Sequence, residues 1–118
     1  MDYFLKATRT TPAIIMDSNS KSALIKGVAL SNDWSFHQQL ILDISKQLQN
    51  SNYNDLNIQL KVFNIKAAKF LIEVLKTIKD CESPINIHWL YDKEDLEMLE
   101  MGKDYGKLLG MKFELNPN

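Results

Sequence analysis

The side chains most able to do chemistry in this 118-residue sequence are two histidines, one cysteine, a run of acids and a run of lysines. His37 falls in a helical pattern and His88 in an alternating one, and neither has a second ligand at metal spacing. Cys81 is the only cysteine. With Lys79 and Asp80 before it and no histidine or second thiol nearby, it reads as a free structural or surface thiol. The glycines (Gly27, Gly102, Gly106 and Gly110) form neither a GxGxxG nor a GxxxxGK phosphate loop, and no G-x-S-x-G elbow occurs. No acid–base pair and no activated nucleophile can be assembled, so the sequence reads as non-catalytic, with no cofactor and no metal.

Two charged stretches remain. Asp92, Glu94, Asp95, Glu97, Glu100 and Asp104 are opposed by Lys93 and Lys103 alone, at spacings that do not match a calcium loop. Acids in the first turn of a helix are favoured by its dipole, which gives this run a bland account. Lys61, Lys66, Lys69, Lys76 and Lys79 are opposed only by Glu73. Opposed blocks of charge fit an oriented protein interface and fit two solvated helices equally well. The net charge of −1 argues against nucleic acid as the main partner.

The elements that must carry these residues are legible. Tyr3 to Leu5 reads as a short strand. Ala13–Met16 and Ala23–Gly27, around the polar loop Asp17–Lys21, read as a hairpin. After the cap formers Ser31, Asn32 and Asp33, a helix is expected with His37, Ile41, Ile44 and Leu48 on its apolar stripe, ending near Asn50-Ser51-Asn52. Leu56, Ile58, Leu60 and Val62 alternate with Asn57, Gln59 and Lys61, the signature of a half-buried strand. A second helix follows, with Ala67, Leu71, Val74, Leu75 and Ile78 inward. Beyond Pro84, Ile85, Ile87, Trp89 and Tyr91 alternate with Asn86 and His88 as another strand. A third helix is expected from about Lys93 to Leu108, stopped by Gly110, and a last strand from Met111 to Leu115.

This order predicts one α/β domain over residues 1–118. An N-terminal hairpin leads into β-α-β-α-β-α-β, giving a mixed sheet with parallel neighbours and helices mainly on one face. The N-terminal stretch lacks a signal-peptide core, and no apolar run approaches the ~18 residues of a membrane span. A cytoplasmic protein without membrane insertion is expected.

Several segments, in order, resemble the SiaC family of bacterial regulatory proteins, related in fold to the SpoIIAA-like (STAS) anti-sigma-factor antagonists. They are Arg9-Thr10-Thr11-Pro12-Ala13-Ile14, Ala23-Leu24-Ile25-Lys26-Gly27, Val62-Phe63-Asn64, Ile87-His88-Trp89-Leu90-Tyr91-Asp92, Glu100-Met101-Gly102-Lys103-Asp104-Tyr105 and Met111-Lys112-Phe113. The resemblance implies a partner switch. A hydroxyl residue at a helix start is phosphorylated by a kinase of the histidine-kinase-like ATPase type and cleared by a PP2C-type phosphatase. The unmodified form binds and activates a diguanylate cyclase in cyclic-di-GMP and biofilm signalling.

The sequence departs from the family at that helix start. The family pattern Phe/Leu-Asn-Thr-Ser-Ser is replaced after Phe63-Asn64 by Ile65-Lys66-Ala67-Ala68, with Ile65 at the acceptor position. No Ser, Thr or Tyr lies between Tyr53 and Thr77. Val28 to Trp34 also departs from the family's usual Ser-Tyr-Pro-Glu-Asn run. The switch is therefore expected to be locked, lost or moved. The expected docking residues are Asn64, Ile65, Lys66 and Lys69, with oligomeric state left open. A small-ligand module of the same fold, holding a nucleotide or lipid, is the alternative.

Overall fold

The computed structural model describes residues 2–50, 52–81 and 84–118. Its elements run β1 (Tyr3–Leu5), β2 (Ala13–Asp17), β3 (Ser22–Ala29), α1 (Trp34–Asn50), β4 (Asp55–Phe63), α2 (Ile65–Lys79), β5 (Asn86–Tyr91), α3 (Leu96–Leu109) and β6 (Phe113–Pro117). The six strands form one sheet in sequential order, β1 to β6. β1, β2 and β3 pair antiparallel, and β3 to β6 pair parallel, with Ile58 opposite Trp89 across β4 and β5.

Each parallel pair is joined through a helix, and crossovers of one hand between sequential neighbours bring every helix to the same face. The burial pattern agrees. Ile14, Met16, Ala23, Ile25, Leu56, Ile58, Leu60, Ile87 and Trp89 alternate inward from four neighbouring strands. They form one core with Leu40 and Ile44 of α1, with Phe70, Leu71, Val74 and Leu75 of α2, and with Met98 and Leu109 of α3. Among the described residues the opposite face carries no helix.

The structure corrects the expected elements at several points. Val62 was expected inward and is exposed. The register slips between Gly27 and Val28, so that Val28 faces Val62 and the alternation of β4 breaks there. Gly27 holds φ +121°, a conformation open to glycine and costly for other residues. In α1 the buried positions are His37, Leu40 and Ile44, with Ile41 and Leu48 at the margin of the stripe. Helix α3 starts at Leu96 rather than Lys93, because Asp95 caps it by accepting the Met98 N–H at 3.1 Å. Gly110 ends it with φ +64°. The last strand sits two residues later than expected, and β5 begins at Asn86 rather than Ile85. Ser51, expected near the end of the first helix, lies outside the described residues.

Candidate functional site

The start of α2 is built by Asn64. Its backbone is extended (φ −96°, ψ −178°), and its side-chain oxygen accepts the Ala67 N–H at 2.9 Å, the reach of an N-cap. Its amide nitrogen donates to the Leu30 carbonyl at 2.9 Å and to Asn32 Oδ1 at 3.1 Å. Lys66 Nζ donates to the Asn32 carbonyl at 3.2 Å. The loop between β3 and α1 is thereby tied to the first turn of α2. Asn64 and Lys66 are occupied in this latch, whereas Ile65 between them is 78 % exposed. Lys69 is exposed one turn on, beside a shallow groove lined by Trp34, Gln38, Ile41, Leu42 and Ile72.

Ile65 has apolar company. Leu30 follows β3, Val62 lies near the end of β4, and Leu96 opens α3 after β5; all are exposed, Leu96 at 66 %. Because β3, β4 and β5 run parallel, these residues share the carboxyl edge of the sheet. Their convergence was invisible in the sequence, where they span 67 positions from Leu30 to Leu96. Large apolar side chains gathered at one edge are the usual mark of a docking surface.

The charged runs resolve into separate jobs. Lys79 Nζ donates to the Leu109 carbonyl at 2.6 Å, closing the C-terminus of α3, and Lys76 pairs with Glu73 at 3.5 Å. Asp92 accepts the Glu94 N–H and Asp95 caps α3, so both serve local structure. Exposed Lys66 and Lys69 remain near the Ile65 edge, with exposed Glu94 and Glu97 at the start of α3, while Lys61 lies beside Gln59, Tyr91 and Asp92.

Neither histidine is free for chemistry. His37 is 3 % exposed, stacked on Phe70 at 5.4 Å and edged by Trp34, and its Nδ1 has no partner among the described residues. Burial holds its pKa below the ordinary value; Asp33 opposes that and Lys66 adds to it. His88 lies on the helix-free face, with Nε2 2.7 Å from Asp55 and Nδ1 2.8 Å from Glu114. Both ring nitrogens are taken by carboxylates of neighbouring strands, a cluster that sequence distance conceals. The Cys81 thiol donates to the Thr77 carbonyl at 3.4 Å and is pushed up by burial and by Asp80. Among the described residues no group of His, Cys, Asp and Glu is placed to hold a metal ion. An enclosed cavity in the core, lined by Ile14, Leu56, Val74 and Ile78, measures about 10 Å³, too small for a nucleotide or lipid. No helix among those described is long and apolar enough to cross a membrane.

Similar folds occur in solved structures from Pseudomonas aeruginosa. The crystal structure of apo-SiaC superposes with a TM-score of 0.83 at 18 % identity, covering 98 % of each chain. SiaC in complex with the diguanylate cyclase SiaD, of which it is the activator, gives 0.84 at 18 % identity over 99 % of this chain and 100 % of that one. No curated protein matches the sequence. The profile of the SiaC family of regulatory phosphoproteins matches residues 5–118, nearly the whole chain, and the protein belongs to that family.

Proposed function

We propose that the protein is a non-catalytic, cytoplasmic regulator that docks a protein partner through the carboxyl edge of its sheet, with Ile65 as the apolar anchor. The observation that carries this reading is Ile65 itself: a large apolar side chain, 78 % exposed, on the first turn of a helix fixed by the Asn64 cap. Leu30, Val62 and Leu96 extend the apolar edge, and Lys66 and Lys69 give it a basic rim. By likeness to SiaC, which activates the diguanylate cyclase SiaD, the partner is a diguanylate cyclase. A kinase and a phosphatase would act on the relatives' switch. Here isoleucine has no hydroxyl to accept a phosphate, and the edge stays uncharged and competent to bind.

The test uses the first helical position, which tolerates an acid. Ile65→Asp places a carboxylate where the helix dipole favours it, so the fold should survive. The same charge, buried in an interface, costs several kcal/mol (about 1–3 for an unpaired polar group, more for a charge) and should abolish cyclase binding in a calorimetric titration. Ile65→Thr should keep binding and gain phosphorylation by a family kinase. Undiminished binding by Ile65→Asp would place the docking surface elsewhere.

A further inference from the structure

The helix-free face of the sheet is patterned in two directions. Across the strands, one row runs Phe4, Ile15, Leu24, Asn57, His88 and Glu114, from apolar on β1–β3 to polar on β4–β6. Phe4 is 57 % exposed in that row, and Ile15 and Leu24 lie partly open beside it. Along the strands, charge reverses. β4 carries Asp55 at its start and exposed Lys61 near its end. Beyond it the order inverts, with exposed Lys112 just before β6 and exposed Asp92 just after β5, where Glu94 and Asp95 extend the acidic corner.

We propose that this face binds a second copy of the same chain, face to face, about a two-fold axis lying across the strands. That axis returns each strand to its own place with its direction reversed. The apolar half then meets the apolar half, Asp55 lies toward the partner's Lys61, and Lys112 toward the partner's Asp92. A two-fold along the strands fails on both counts: it lays the apolar half on the polar half and the acidic start of β4 toward its own copy. A pattern that is self-complementary under one axis and mismatched under the other singles out an isologous dimer.

Strands ~4.8 Å apart and ~3.3 Å per residue give six strands of about five residues a flat footprint of roughly 400 Å² per copy. That is about half the ~800 Å² per partner of a standard-size interface, so the dimer is weak, reversible and concentration-dependent. The edge around Ile65 stays uncovered, and the reversed strands point the two docking edges in opposite directions.

Sedimentation of the full chain over a dilution series tests this. The wild type should form a dimer that weakens with dilution and with salt. Lys61→Glu should weaken it at least tenfold, and Asp55→Lys should do the same, each with unchanged circular dichroism. An equimolar mixture of Lys61→Glu and Asp55→Lys should regain a heterodimer, because both crossed contacts then pair opposite charges; a merely structural defect would not be rescued by mixing. Ile65→Asp should leave the dimer unchanged. A wild type that stays monomeric up to ~1 mM, a Lys61→Glu dimer as tight as the parent, or a mixture that stays monomeric would overturn the proposal.

Discussion

Gly102 lies flat against the indole of Trp89: a β-carbon added at Gly102 would stand 2.6 Å from Trp89 Cδ1. The ring cannot retreat. It is 1 % exposed, its Nε1 donates to the Met98 carbonyl at 2.9 Å, and it stacks on Phe113 with Tyr105 at its edge. The glycine is what lets α3 approach β5 closely enough for that contact.

Gly102→Ala should therefore destabilise the fold by about 1–3 kcal/mol, the usual cost of overpacking, despite a gain of about 1 kcal/mol in helix propensity. Trp89→Ala should cost about 3–5 kcal/mol as a large cavity. Denaturant titrations of both variants check the relationship. A stabilised Gly102→Ala would mean that the indole has room to move.

Asn64 closes two structures at once, the N-terminus of α2 and the loop between β3 and α1. Asn64→Ala should cost about 1–2 kcal/mol for the lost cap. Asn64→Asp should keep the cap but lose the bonds that the amide donates to Leu30 and Asn32. Faster amide exchange in residues 30–33 of Asn64→Asp, at nearly parental stability, is the expected signature.

His37 gives stability a pH dependence with a definite sign. Its folded pKa is lowered by burial. The unfolded chain therefore binds the proton first, and stability is full above the ordinary histidine value of about 6.5. It should fall as pH drops below that value and level off once the folded form also protonates. Chemical denaturation of wild type and His37→Leu at about pH 7.5 and about pH 5.5 should show a smaller acid loss in the variant. Equal losses would assign the acid sensitivity to other groups.

Periodicity made most of the fold legible. The strict alternation of Leu56, Ile58 and Leu60 and the stripe of α2 were enough to place both elements and their inward faces. What stayed hidden depends on register or on distant partners. Val62 departs from its alternation because β4 carries one extra residue, Lys61, against the single step from Gly27 to Val28, and nothing in the sequence of β4 marks it. The start of α3 moved because Asp95, one acid among several, does the capping. At the candidate site the sequence singled out Asn64, Ile65, Lys66 and Lys69 by position. The division of labour among them, two holding a loop and two facing solvent, needed Leu30 and Asn32 from 32–34 residues away. Leu96 was missed because it reads as an ordinary member of a helical stripe.

The docking account is tested most directly by hydrogen exchange of the protein alone and saturated with a diguanylate cyclase, the partner proposed for it. Protection should appear in residues 30–35, 62–69 and 95–98, the segments that bear Leu30, Val62, Ile65 and Leu96, and be absent from the outer face of α1 around Leu42. Protection confined to α1, or to the helix-free face of β1–β3, with residues 62–69 unchanged, would contradict it.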